Sequence, residues 1–112
     1  MKKNTQILLL MNDLALTYTR LEKHADAEKL QIKALGLRNK LLGDEHPDTI
    51  DTMKNLAITF YYLQKYTDAA MLAVKVVDVR KKIFGEEHSK TVEAVALLAD
   101  ITFQANSNTF SN

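Results

Sequence analysis

Apolar residues recur along this chain at helical spacing. From Ile50 to Leu63 the positions Ile50, Met53, Leu56, Ala57, Phe60 and Leu63 fall on one helical stripe. The series Leu8, Met11, Leu14, Ala15, Tyr18 and Leu21 precedes it by a constant 42 residues. After each stripe comes a short break, at Lys23-His24 and at Lys65-Tyr66, where the glycine common in such turns is absent. A second helix is then predicted, with Ala27, Leu30, Ala34, Leu37 and Leu41 inward, and one period later Ala69, Leu72, Val76, Val79 and Ile83. Another helix of the first kind is expected from Ser89, with Val92, Val95, Leu98 and Ala99 in its stripe. Its signal fades at Thr102 and Ala105, and residues 106–112 read as a flexible tail.

The 42-residue spacing is an internal repeat. Laid over Met53–Ala94 without a gap, Met11–Thr52 matches at 16 of 42 positions, including Lys33/Lys75, Arg38/Arg80 and Lys40/Lys82. The segments GDEHPDT, starting at Gly43, and GEEHSKT, starting at Gly85, mark its boundaries. The expected architecture is therefore all-α, an array of antiparallel helix pairs with about five helices. One repeat domain spans 1–105, with repeat 1 at about 5–46, repeat 2 at about 47–88 and a final helix at about 89–105. Three glycines and one proline leave few breakers inside these spans. Such arrays generally need about three repeats to bury a continuous core, so two pairs and one helix point to a small array cut from, or evolved out of, a longer one. Leu9 and Leu10 stand where the next repeat has Asp51 and Thr52. That apolar excess calls for a cover, by an upstream repeat or by a second copy of the chain.

Composition removes several function classes. Fifteen basic and fourteen acidic residues give a net charge of +1, no footprint for nucleic acid or an anionic membrane. The absence of cysteine rules out thiolate chemistry and disulfides, and no apolar run approaches the roughly 18 residues of a membrane span. A soluble, cytoplasmic protein is expected. The acid-histidine clusters invite a metal or acid-base reading, but His46 and His88 should sit on the order of 20 Å apart, two helix layers, whereas zinc ligands lie about 2 Å from the ion. Each cluster reads instead as punctuation: Gly43 and Gly85 end a helix in a left-handed conformation, Pro47 and Asp48 open the next, and the histidines lie at or near its N-cap. No catalytic residue, metal site or cofactor is expected. The recurring Lys33/Lys75, Arg38/Arg80 and Lys40/Lys82 would form a basic ridge on the back of the array, and His24 replaces the aromatic Tyr66 as a packing residue.

The string LGDEHPDT followed by MKNLAITF, then KYTDA and a helix ending in VRKKIFGEEH, resembles tetratricopeptide repeats of the kinesin light chain type, from about Asn4 to Phe103. The resemblance implies a right-handed superhelical array, a tetratricopeptide-like solenoid, whose first helices line a concave groove that binds an extended peptide. The groove residues then expected are Asn12, Asp13 and Arg20 in the first repeat, Lys54, Asn55, Ile58, Tyr61 and Tyr62 in the second, and Asp100 and Phe103 in the last helix. In such relatives an asparagine before the Leu-Ala pair often bonds the peptide backbone. Here that position holds Asp13, Asn55 and Leu97, so only Asn55 keeps it. The implied function is a scaffold for protein-protein interaction, with a protein or peptide partner and no enzyme activity. Alternatives are a self-associating assembly element, a homo-oligomer, or the ligand-sensing repeats of a larger nucleotide-dependent signalling protein.

Overall fold

The computed structural model describes residues 2–111, and side chains from Gln6 to Ser107. Its elements are α1 (Lys2–Arg20), α2 (His24–Leu42), α3 (Pro47–Tyr62), α4 (Tyr66–Phe84) and α5 (Ser89–Ser111). Consecutive helices pack on one another, and α3 also touches α5. The array measures 48 × 34 × 20 Å.

The helix boundaries follow from local chemistry. His46 is the N-cap of α3, its Nδ1 accepting from the backbone N–H of Asp48 at 3.1 Å, with Pro47 in the first turn. His88 does the same for Lys90, also at 3.1 Å. Both ring nitrogens therefore serve first-turn amides that lack helical partners. Each second helix ends on a glycine whose N–H closes the last helical bond, Gly43 to Asn39 and Gly85 to Lys81. Those glycines do not take the left-handed helical conformation expected of them. At φ 93, ψ 160 and φ 89, ψ 167 they lie in an extended mirror region essentially closed to other residues. The left-handed positions fall instead on Glu22 (φ 58) and Gln64 (φ 62), in the tight turns inside each pair.

The packing shows why one stripe per helix was too simple. A helix inside the array has two neighbours and therefore two buried stripes. On α3, Ile50, Met53, Ala57 and Phe60 lie on one stripe, while Thr49, Thr52, Leu56 and Thr59, continued by the C-cap Leu63, lie on another; all are buried or half-buried. Second helices do likewise: besides Ala69, Val76 and Val79, with Leu72 half-buried, α4 buries Ala73, Val77 and Arg80. Leu41 and Ile83, expected in the core, are 44% and 46% exposed in the last turns of their helices. In α5 the buried residues are Thr91, Ala94 and Ile101, whereas Val92 and Val95 are exposed. This helix has α4 on one side and no following helix among the described residues. Ile50, Met53, Val76, Val77, Val79 and Ala94 form one core cluster. A second, built on Ala69, Ala73 and Ile101, takes in Phe60, Tyr61 and Tyr66.

The last helix also runs farther than expected, to Ser111 rather than about residue 105. No glycine or proline follows Gly85 to stop it, so loss of the apolar stripe ends burial without ending the helix. Asn112 lies outside the described residues.

Candidate functional site

On the side carrying the first helices, a cleft of about 370 Å³ is lined by polar groups. First helices supply Asn12, Asp51, Lys54, Asn55 and Glu93 to it, together with the helix-start residues Asp48 and Lys90. Arg38 and Arg80 reach it from the second helices α2 and α4.

Those two arginines correct the sequence-based picture of a basic ridge on the back. Arg80 is 2% exposed, and its Nη1 donates to the Lys90 carbonyl at 2.8 Å. Arg38 donates equivalently to the Asp48 carbonyl at 3.0 Å and also to the Thr52 hydroxyl. In each repeat an arginine near the end of the second helix thus latches a carbonyl in the first turn of the next first helix. The signal for this was in the chain: Ala73, Val77, Arg80 and Phe84 share one face at helical spacing, and Phe84 in turn stacks on His88 at 4.5 Å. The lysines behave differently. Lys75 pairs with Asp44 at 3.6 Å and Lys82 with Glu45 at 2.9 Å, so acids of the first linker are held by α4.

The two latches differ in their electrostatics. Arg80 Nη2 lies 3.2 Å from Asp51, its Nη1 lies 3.5 Å from Glu93, and Glu93 takes Lys54 Nζ at 3.1 Å. This chain of charges ties α3, α4 and α5 together. The hydrogen bond from Lys54 holds the Glu93 carboxyl below its usual range; desolvation opposes this, and the Lys54 and Arg80 charges reinforce it. Arg38 has no carboxylate within ion-pair distance among the described residues. One period before Asp51 stands Leu9, and Asp51, the counterpart of Glu93, is engaged by Arg80.

Of the expected groove residues, the structure brings Asn12, Lys54 and Asn55 together at the cleft. The side-chain amides of Asn12 and Asn55 make no hydrogen bond among the described residues. Asp13 and Arg20 are exposed on α1 and Asp100 on α5, outside the cleft lining; Ile58 is half-buried on α3. Tyr61 packs into the α3–α4–α5 junction, edge-on to Tyr66 at 5.8 Å. Tyr62 is 59% exposed and stacks on His24 at 4.8 Å, which ties the end of α3 to the start of α2. Phe103 is 68% exposed on α5. Arg38, Arg80, Asp48 and Lys90 were not anticipated at the site.

Stacked helix pairs with a polar cleft along the first helices define a helical-repeat protein. Residues 6–82 match the family model described as Tetratricopeptide repeat, and the chain belongs to that family. No curated protein matches it. Among solved structures it is similar to BtubC (BKLC) from P. vanneervenii, with TM-score 0.83 and 18% identity over 91% of this chain and 40% of that one. It is also similar to the Podosopora anserina putative kinesin light chain with nearly identical TPR-like repeats, with TM-score 0.80 and 24% identity over 96% of this chain and 50% of that one. The chain thus spans half or less of the length of these neighbours, and the likeness establishes a shared tetratricopeptide-like solenoid fold.

Proposed function

We propose that the protein is a protein-protein interaction module that holds an extended segment of its partner along the first helices, centred on the Asn12–Asn55 cleft. Tetratricopeptide repeats are generally interaction modules, which supports the coarser part of this reading. The observation that carries the finer part is the pair of unengaged amides facing one polar cleft, since an amide can both donate to and accept from a peptide backbone. Arg38 adds a preference. With no carboxylate of its own, it fits a partner segment that brings an acidic side chain into the cleft. Tyr62, still largely exposed beside its stack on His24, offers an aromatic surface for a neighbouring apolar side chain.

A display library of random peptides selected on the intact chain tests this reading. Selected peptides should be enriched in Asp or Glu, and Asn12→Ala with Asn55→Ala should weaken them about tenfold or more at unchanged helicity. Peptides that bind the double variant as tightly as the parent chain, but lose affinity on Met71→Glu at the second helices, would overturn it.

A further inference from the structure

The first helix presents an apolar stripe that no other described residue covers. Ile7, Leu10 and Leu14 on α1, with Leu21 in the following turn, are 46%, 68%, 44% and 60% exposed. Their spacing puts them on one side of the helix, away from the stripe of Leu8, Met11, Ala15 and Tyr18 that faces α2. One period on, the same positions are Thr49, Thr52, Leu56 and Leu63, all buried or half-buried because α2 covers that side of α3.

We propose that this stripe is a dimerisation surface whose occupant is α1 of a second copy of the chain, packed antiparallel. The choice of occupant rests on how α1 departs from its own repeat. A covering helix of the α2 or α4 kind brings an arginine, and the next helix meets it with a polar side chain: Thr52 on α3 for Arg38 and Glu93 on α5 for Arg80. On α1 the positions equivalent to Asp51 and Thr52 are Leu9 and Leu10, and Ile7 replaces the fully buried Thr49 and Thr91. Such a helix would set its guanidinium against Leu10 where Arg38 has the Thr52 hydroxyl, and against Leu9 where Arg80 has the Glu93 carboxylate, so a side-chain acceptor is lost in either case. A leucine face suits it, and α1 carries one.

The flanking charges set the direction. Asp13 and Arg20 lie beside the stripe, one heptad apart, both exposed and neither in an ion pair among the described residues. In an antiparallel pair related by a two-fold axis, Asp13 of each copy meets Arg20 of the other, while Leu10 faces Leu21 of the other. A parallel pair would place Asp13 and Arg20 beside Tyr18 and Ala25 of the other copy, with no opposite charge for either. Two such stripes with their flanks bury on the order of 800 Å², at the weak end of specific interfaces, so a reversible, concentration-dependent dimer is expected.

Sedimentation equilibrium of the intact chain from about 1 μM to about 1 mM reads this directly. The expected result is a reversible dimer. Leu10→Glu, at the most exposed position of the stripe, and Leu14→Glu should each leave a monomer throughout with far-ultraviolet circular dichroism unchanged. Asp13→Arg should weaken the dimer and Asp13→Arg with Arg20→Asp should restore it. A strict monomer at the highest concentration overturns the proposal. So does a dimer that survives Leu10→Glu and is lost on Val95→Glu at the open side of α5, or a charge swap that fails to restore association.

Discussion

Replacing Arg80 with Met tests the account of how the helix pairs are joined. The guanidinium is almost wholly buried, donates to the Lys90 carbonyl, and touches Asp51 and Glu93. Methionine keeps much of the aliphatic packing and removes the charge. The lost charge-assisted hydrogen bond is worth about 1.5–3 kcal/mol. The two ion pairs add little, roughly 0.2–1 kcal/mol each, because Asp51 and Glu93 keep 46% and 56% of their side-chain surface in water. That same exposure lets both carboxylates rehydrate, so the heavy penalty for stranding a buried charge does not apply. Relief of the guanidinium's own desolvation works the other way and trims the loss to about 1–3 kcal/mol. In a domain of this size that lowers Tm by roughly 5–15 °C. Thermal and urea unfolding followed at 222 nm would measure it, with Arg38→Met as the internal comparison. Arg38 makes the same carbonyl bond without carboxylates, so its loss should be smaller. If Arg80→Met leaves stability unchanged or raises it, desolvation outweighs the latch and the reasoning fails.

Two further outcomes follow from single observations. Gly85→Ala should cost about 1–3 kcal/mol of stability, entirely through the backbone, since φ +89 is closed to alanine while a Cβ would meet no atom within 4 Å; a neutral result in urea unfolding would show that the linker relaxes freely. The depressed pKa of Glu93 supplies a small stability increment that is present above its unfolded-state pKa and lost as pH falls through the lower folded-state value. Glu93→Gln should therefore be less stable than the parent near neutral pH, and the difference should shrink in acid; a gap that widens on acidification contradicts this.

How much was legible in the sequence can be judged from particular residues. The repeat period, the five helices, the histidines at the helix starts and the packing role of His24 followed from spacing and from turn chemistry, both of which act over a few residues. The two stripes of each helix did not separate, because periodicity reports that a residue is apolar without saying which neighbour covers it. Leu14 and Leu56 occupy the same repeat position, yet one is 44% exposed and the other 2%. Nothing local distinguishes them; only the presence of α2 beside α3 does.

The candidate site divides in the same way. Asn12, Lys54 and Asn55 could be assigned to one face from the helical period and the resemblance. Arg38 and Arg80 were not: Arg80 shares a face with Ala73, Val77 and Phe84, but an arginine on an amphipathic helix reads as a solvated edge until a carbonyl from the next helix is placed against it. The sequence by itself determined the repeat, its period and the local chemistry that starts and stops each helix, because those depend on contacts within a turn or two. Only the tertiary structure decided which arginine is buried, which carboxylate answers it and which leucines remain open, because each of those is set by a neighbour that lies far along the chain or is absent from it.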